Sequence, residues 1–251
     1  MPGTRCQWIT GLLCLLLASS PRADSLRLAT AANFRPALEA LVHDFNPGGE
    51  HAIRISSAST GVLYSQVMHG APFDMLLAAD SLRPQRLEAE GRIVPGSRHT
   101  YARGELVLVY REPLSELAQD GLAAVLAQPG HSLAIANPEL APYGEAAMAV
   151  LARPEFSDAR PRLLRGANIL QAYQMFHSGG ADSALVARSL AGEHFIPIPP
   201  DWHLPLDQQV VIIKQPGERP LASAFLDYLL SSRAAAIIEN FGYQPGDVRG
   251  D

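Results

Sequence analysis

The sequence contains few cysteines and few lysines, and each shortage excludes a class of function. Its two cysteines, Cys6 and Cys14, both stand close to the N-terminus. The remainder of the chain can therefore form no disulfide or thiolate metal site, and it has no cysteine nucleophile. Lys214 is the only lysine, and no run of basic residues occurs. With a formal charge of −5, the protein is a poor candidate for binding nucleic acid.

No long apolar run follows the N-terminal segment, which argues against a transmembrane helix in the main part of the chain. The N-terminus has the parts of a secretory signal peptide: basic Arg5, an apolar core over residues 9–17, and small residues up to Ala23. We expect residues 1–23 to be cleaved, leaving a soluble exported protein. This removes Arg5 and Arg22 but no acidic residue, so the formal charge falls from −5 to −7. An anion site must then be built from local dipoles.

A cluster of hydroxyl side chains marks the clearest candidate site. Residues 53–61, Ile-Arg-Ile-Ser-Ser-Ala-Ser-Thr-Gly, pass from a β-branched run to hydroxyls and then to Gly61, ahead of a segment of helical character. A strand followed by hydroxyls and a helix start directs O–H and free backbone N–H groups toward an anion. Ser59 and Thr60 as ordinary helix N-caps remain an alternative interpretation of this motif alone.

Strand-like and helix-like segments alternate along the chain, which predicts an α/β fold. Residues 34–45 carry apolar side chains at helical spacing, and residues 75–78 form a short apolar run typical of a buried parallel strand. Repeated strand–helix–strand units favour mixed, mainly parallel sheets with helices on both faces. The proline-rich residues 196–200 can hold neither a helix nor a central strand, and we expect the chain to cross between two lobes near them.

We therefore predict two lobes, the first made from both ends of the chain. Residues 24–103 with 207–251 would form lobe I, and residues 104–206 would form lobe II. The ligand would occupy the cleft between them, at the carboxyl ends of the strands. The predicted strands are residues 26–29, 52–55, 75–78, 106–110, 133–136, 184–186 and 210–213. The predicted helices are residues 33–45, 62–69, 81–90, 143–151 and 169–178, with two more within 221–240.

Five short motifs occur in order along the chain. They are Ala-Ala-Asn-Phe at 31–34, Ser-Ser-Ala-Ser-Thr-Gly at 56–61, Gly-Ala-Pro-Phe-Asp at 70–74, Ala-Asn-Pro at 136–138 with Ala-Pro-Tyr-Gly at 141–144, and Gly-Ala-Asn-Ile at 166–169. Together they resemble the periplasmic molybdate-binding proteins of ABC importers. The resemblance implies a type II periplasmic binding protein fold, with a tetrahedral oxyanion buried between two lobes. It implies a periplasmic monomer, without enzymatic activity or a cofactor, that binds molybdate or tungstate and delivers it to a membrane permease.

The resemblance also implies which residues of the first lobe hold the oxyanion. Asn33 matches a position that gives a side-chain amide and a backbone N–H. Ala32 stands where some members have a hydroxyl, so here only its backbone could contribute. Thr60 matches a hydroxyl donor, and Ser59 is its close neighbour.

Two positions of the second lobe complete the implied site. Tyr143 and Ile169 match residues whose backbone N–H faces the ligand, so the side chains of both are expected to pack elsewhere. One departure concerns Ala187, which stands where some members carry a tyrosine hydroxyl. That donor is absent from this chain.

Such a set of groups suits an unprotonated dianion, which offers only acceptors. Backbone N–H groups, amides and hydroxyls donate without the repulsion that a carboxylate would cause, and helix N-termini add partial positive charge. Hydrogen bonds to charged groups contribute ~1.5–3 kcal/mol each, so about six or seven give a gross ~10–20 kcal/mol. Submicromolar binding needs more than ~8 kcal/mol. The molybdenum would thus be held as its oxyanion, with no direct protein ligand.

Two alternatives remain open from the sequence. One is a binding protein for sulfate or another tetrahedral oxyanion, since sequence does not resolve the size of a cavity. The other is a secreted hydrolase with Ser59 or Thr60 as nucleophile, because any of eight scattered histidines could supply a base. No Gly-x-Ser-x-Gly motif is present to favour it. A metal enzyme is disfavoured because no His-x-x-x-His pair accompanies a carboxylate at ligand spacing.

Overall fold

The computed structural model describes residues 25–111 and 121–247. The expected signal peptide and both cysteines lie outside the described residues. The chain alternates strands and helices as predicted, and the strands form two sheets. We call each sheet with its helices a lobe.

The first lobe is built from both ends of the chain around a sheet of six strands in the order β11-β4-β10-β3-β1-β2. Its strands are β1 (Ser25–Ala31), β2 (Ala52–Ala58), β3 (Met75–Ala78), β4 (His99–Gly104), β10 (Leu206–Ile212) and β11 (Gln244–Pro245). Its helices are α1 (Arg35–Phe45), α2 (Thr60–Met68), α3 (Leu82–Ala89), α7 (Pro220–Leu229) and α8 (Ser232–Asn240). Alternate strand residues face two apolar clusters, one under α1, α7 and α8 and the other under α2 and α3, so helices cover both faces.

The second lobe is built from the middle of the chain around a sheet of five strands in the order β7-β6-β8-β5-β9. Its strands are β5 (Leu106–Tyr110), β6 (Ser132–Ala136), β7 (Arg162–Gly166), β8 (Ser183–Ala187) and β9 (Phe195–Pro197). Its helices are α4 (Leu122–Leu126), α5 (Pro142–Leu151) and α6 (Ile169–His177). The proline-rich segment supplies β9 at the edge of this sheet, where a missing N–H is tolerated.

The expectation of mainly parallel sheets holds only for part of each sheet. The pairs β1–β2, β1–β3, β6–β7 and β6–β8 are parallel. The strands next to the lobe crossings pair antiparallel: β10 with β3 and β4, and β5 with β8 and β9. These strands enter their sheet from the other lobe, so no crossover helix imposes a parallel direction on them. The sheets are therefore mixed.

The chain crosses between the sheets at Glu105, which separates β4 from β5, and again between β9 and β10. The predicted lobe bounds at 103 and 207 stay a prediction. Within the described residues no single helix is long and apolar enough to span a membrane. Only α7 and α8 taken together reach that length and composition, and they are bent by 65°.

Some boundaries differ from those expected. Helix α1 begins at Arg35, two residues after Asn33, since residues 32–34 form a turn in which the N–H of Phe34 donates to the carbonyl of Ala31. Strands β4, β7, β9 and β11 and helix α4 were not predicted. Strand β7 is an edge strand with exposed and half-exposed residues, so its sequence carries little strand signal. Asp80 caps the start of α3, because its Oδ1 accepts the backbone N–H of Arg83 at 2.8 Å.

Candidate functional site

A small cavity lies where the carboxyl ends of strands from the two lobes meet. The empty space within it, counted with the solvent at its opening, is about 190 Å³. The first lobe contributes the turn after β1, the start of α2 and the residue after β3, and the second lobe contributes the starts of α5 and α6. The lining residues are Ala31, Ala32, Asn33, Ser59, Thr60, Ala79, Ala141, Pro142, Tyr143, Asn168 and Ile169.

All six residues singled out from the sequence line this one cavity, although they come from four separate turns. Five further lining residues were not predicted as site residues: Ala31, Ala79, Ala141, Pro142 and Asn168. Ala79 could have been found because it directly follows a short buried strand. Asn168 could have been found as an N-cap, since its Oδ1 accepts the N–H of Gln171 at 3.0 Å.

Four backbone N–H groups around the cavity, those of Asn33, Thr60, Tyr143 and Ile169, find no acceptor within residues 25–111 and 121–247. Three of them belong to the first turn of α2, α5 or α6, where a helix cannot satisfy its own donors. The N–H of Asn33 belongs to the turn before α1. Three helix starts thus meet at the cavity with their positive ends and unpaired donors.

Two hydroxyls add to these donors. Ser59 Oγ is buried and has no hydrogen-bond partner among the described residues. Thr60 is fully buried, and its Oγ1 accepts the backbone N–H of Ala79 at 3.0 Å. Because this bond occupies a lone pair of Thr60, its hydroxyl proton stays available for donation. A buried hydroxyl without a partner, such as that of Ser59, is costly unless a ligand satisfies it.

The side-chain amide of Asn33 is held by residues outside the cavity. Its Nδ2 donates to Gln208 Oε1 at 2.9 Å and to Tyr243 Oη at 3.0 Å. Gln208 Nε2 in turn donates to the carbonyl of Leu206 at 2.9 Å, which fixes Oε1 as the acceptor for Asn33. Both amide protons of Asn33 are therefore engaged, and its backbone N–H is the donor left for the cavity. A side-chain contact from Asn33 to an anion would replace one of these bonds, and it stays a prediction.

Ala187, which stands where some molybdate-binding proteins carry a tyrosine hydroxyl, lies close to the residues that hold Asn33. Ala187 is buried at the end of β8. Two residues later, Ser189 Oγ donates to the backbone carbonyl of Asn33 at 3.2 Å and lies 3.0 Å from Tyr243 Oη. Tyr243 thus reaches Asn33 from the far end of the chain. No local pattern in the sequence signals this contact, because 210 positions separate the two residues.

The lobes touch beside the cavity. The backbone N–H of Gly61 in α2 donates to the carbonyl of Leu140, ahead of α5, at 2.8 Å. A Cβ on Gly61 would lie only 2.8 Å from that oxygen and 3.1 Å from the Cα of Leu140. The cleft is therefore closed at this point, and the absence of a side chain on Gly61 permits it.

The described residues that line the cavity are uncharged. They include no Asp, Glu, Lys, Arg or His, so none of them places a general base beside either hydroxyl. Burial raises the pKa of the Tyr143 phenol well above its usual value, and the nearby Tyr243 and Glu105 act in the same direction, so this side chain is neutral too. Among the described residues no three His, Cys, Asp or Glu side chains cluster in a way that could hold a metal ion. The arrangement is suited to accepting an anion through neutral donors.

Known proteins match most of the length of the chain. A family model described as bacterial extracellular solute-binding protein matches residues 26–244. The chain is 38% identical over 236 residues to the molybdate-binding protein ModA of Azotobacter vinelandii, covering 91% of this chain and 93% of that protein. It is 35% identical to the ModA protein of Rhodobacter capsulatus, covering 92% of each.

Solved structures with a similar fold include other binding proteins. The Azotobacter vinelandii periplasmic molybdate-binding protein superposes with a TM-score of 0.80 at 34% sequence identity, covering 87% of this chain and 98% of that one. The sulfate-binding protein SubI of Mycobacterium tuberculosis has a TM-score of 0.72 at 15% identity, covering 88% of this chain and 87% of that one. The second likeness concerns the fold alone.

Proposed function

Because the chain belongs to the bacterial extracellular solute-binding proteins, and among them to the ModA molybdate-binding proteins, we propose that it captures molybdate and delivers it to the permease of an ABC importer. The observation that carries this proposal is the closed, uncharged cavity whose unpaired donors come from both lobes. Relatives with this sequence and fold are binding proteins for transport rather than enzymes.

In this proposal the oxyanion is held between donors of the two lobes. The first lobe supplies the N–H groups of Asn33 and Thr60 and the hydroxyls of Ser59 and Thr60. The second lobe supplies the N–H groups of Tyr143 and Ile169. The backbone of Ala32 forms part of the wall between them, and the metal atom has no protein ligand.

The number of donors is sufficient for tight binding. Six hydrogen bonds to a charged acceptor, at ~1.5–3 kcal/mol each, give a gross stabilisation of about 9–18 kcal/mol. Submicromolar affinity requires more than ~8 kcal/mol. The donors are already placed by helix starts and by the Thr60–Ala79 bond, so little ordering of the site opposes binding.

The small size of the cavity also favours a compact ligand. Counted with the solvent at its opening, its empty space is about 190 Å³, which is below the ~300 Å³ or more of a pocket for an organic ligand of ordinary size. A single tetrahedral oxyanion suits such a site better than an organic molecule does.

The donor-only lining favours molybdate over phosphate. Phosphate retains a proton near neutral pH and needs an acceptor such as a carboxylate, whereas molybdate brings four acceptors and no proton. Within residues 25–111 and 121–247, no carboxylate lines the cavity. The same absence of an ionisable side chain argues against a hydrolase, because Ser59 and Thr60 have no base to activate them there.

The remaining features belong to the same proposal. The protein would be exported through the signal peptide expected at residues 1–23, act in the periplasm as a monomer, and need no cofactor. Tungstate, which has the same charge and shape as molybdate, would bind at the same site. The chain would not bind nucleic acid, since its charge is negative and no basic run occurs.

Calorimetric titration of residues 24–251 with molybdate, tungstate, sulfate and phosphate tests the proposal. We expect submicromolar binding of molybdate and tungstate with one site per chain, and much weaker binding of sulfate and phosphate. Tight binding of only sulfate or phosphate would overturn the assignment. Incubation with ester substrates tests the enzymatic alternative, and turnover that is lost in Ser59→Ala would decide for a hydrolase.

A further inference from the structure

Tyr143 joins the cavity to the other lobe. Its backbone N–H belongs to the cavity lining, at the start of α5 in the second lobe. Its ring is buried to 1% exposure and extends to Gly104, the last residue of β4 in the first lobe. The hydroxyl of Tyr143 is buried and has no hydrogen-bond partner in the described part of the chain. The ring is thus placed by shape rather than by a hydrogen bond.

Gly104 leaves the space that the ring occupies. A Cβ built on Gly104 would overlap Tyr143 Oη and would lie 3.1 Å from its Cζ. The backbone of Gly104 does not have a positive φ, so its conformation would accept another residue. The requirement for glycine here is therefore the close approach of Tyr143.

Gln208 forms the other side of this seat. Its Nε2 would lie 3.0 Å from a Cβ on Gly104, and the residue is fully buried in β10. The same side chain holds the amide of Asn33 through Oε1 at 2.9 Å. Gln208 thus holds Asn33 of the first lobe and lies beside Gly104, the residue that Tyr143 of the second lobe approaches.

The seat lies where the chain crosses between lobes. Gly104 is followed by Glu105 and then by β5 of the second sheet, while Gln208 lies near the start of β10, where the chain has returned to the first sheet. The register pairs Leu206 with Gly104 and Gln208 with Ala102. Because Tyr143 belongs to one lobe and its seat to the other, the way in which the ring meets the seat depends on the relative position of the lobes.

We propose that Gly104 and Gln208 are positioning residues for oxyanion capture: they seat the Tyr143 ring when the lobes close, and so bring the Tyr143 N–H to the ligand. This inference rests on the proposed function. It assigns an effect on affinity to two residues that do not line the cavity. The effect acts through the closed state, since it is there that the ring and the seat are in contact.

Gly104→Ala is the direct test, with Gly192→Ala as a matched control, because a Cβ on exposed Gly192 would meet nothing within 4 Å. We expect Gly104→Ala to weaken molybdate binding at least about tenfold by biasing the lobes toward the open state. The double variant Gly104→Ala/Tyr143→Phe removes the overlapping hydroxyl and keeps the N–H. The double variant should bind molybdate almost as tightly as Tyr143→Phe alone, so that most of the loss caused by Gly104→Ala disappears.

A role in closure is distinguished from a role in folding by measuring thermal unfolding with and without molybdate, and the radius of gyration by small-angle X-ray scattering. Gly104→Ala should leave the ligand-free melting temperature near that of Gly192→Ala, while the rise caused by molybdate and the compaction on binding both shrink. Wild-type affinity in Gly104→Ala, or a loss that the double variant does not recover, would overturn the inference. The inference would also be overturned if Gly104→Ala lowered the melting temperature without molybdate as much as the melting temperature with molybdate. Failure of the wild-type protein to bind molybdate would instead overturn the proposed function.

Discussion

The backbone N–H of Gly61 donates to the carbonyl oxygen of Leu140 at 2.8 Å. This bond joins the first turn of α2 in the first lobe to the segment that precedes α5 in the second lobe. It lies one residue from Thr60, which lines the cavity. The closed state of the protein therefore includes a direct backbone contact between the lobes at the edge of the site.

Gly61→Ala should weaken molybdate binding without removing any donor. The added Cβ would lie 2.8 Å from the oxygen of Leu140, so the lobes could not close fully. A closed state destabilised by ~1.4 kcal/mol lowers affinity about tenfold. Calorimetry on this variant and on Gly192→Ala measures the effect. Equal affinities for the two variants would show that this contact does not limit closure.

Ser59→Ala should lower affinity while leaving the ligand-free protein as stable as before. Its hydroxyl has no partner among the described residues, so removing it takes away no hydrogen bond and relieves an unsatisfied buried group. In the complex, one bond to a charged acceptor is lost, which corresponds to about tenfold in affinity or more. Urea unfolding and calorimetry together test both parts. A ligand-free protein clearly destabilised by this change would contradict the expectation.

Thr60→Val should behave differently from Ser59→Ala because Thr60 has a second role. Val keeps the shape of Thr but cannot accept the N–H of Ala79, which is now bound at 3.0 Å. We expect affinity to fall about tenfold or more, and the free energy of unfolding without ligand to fall by ~1–3 kcal/mol. Thr60→Ser, which keeps the hydroxyl, is the control. It should retain most of the affinity and most of the free energy of unfolding. An unfolding free energy equal to the wild-type value would argue against the bond to Ala79.

A pH dependence of stability is expected from His131, which lies at the end of the second sheet away from the cavity. Burial lowers its pKa below the usual value, against the opposing charge of Asp182. Its Nε2 lies 2.7 Å from Ser183 Oγ. In the unfolded chain it regains its ordinary pKa of about 6.5. The unfolded state thus binds more protons below that pH, and stability is lost as the pH falls through about 6.5 toward the lowered folded value.

His131→Gln isolates this contribution because glutamine can still bond to Ser183 but does not titrate. Urea unfolding of the wild-type protein and the variant should be compared from about pH 7.5 to about pH 5.5. The stability of the wild-type protein relative to the variant should decrease over that range. A difference that stays constant, or that grows as the pH falls, would contradict the expectation.

Much of the fold follows from local patterns. The strands at residues 75–78 and 106–110 have the bounds expected from the sequence, because the ends of an uninterrupted apolar run are easy to locate. The comparisons confirm the predicted fold class. Strand β7 was missed because Arg162 and Arg165 lie in an edge strand that is held mainly by pairing with β6. The antiparallel direction of β5 and β10 was missed because it depends on how the chain enters each sheet.

Local sequence patterns indicate where the turns of the site begin. Ser59 is the N-cap residue of α2 and Thr60 is its first residue, Pro142 begins α5, and Asn168 caps α6, and each of these signals is local. The structure brings these turns to one cavity. Helix starts expose unpaired donors whatever their surroundings, which is why a short motif is sufficient to mark them.

The contacts that hold these turns together cannot be read from local sequence patterns. The contact of Tyr243 with Asn33, that of Gly61 with Leu140, and the seat of Tyr143 on Gly104 join residues far apart in the chain. Such contacts depend on the packing of complete elements. The periodicity or the cap of one segment does not indicate which distant side chain will pack against it.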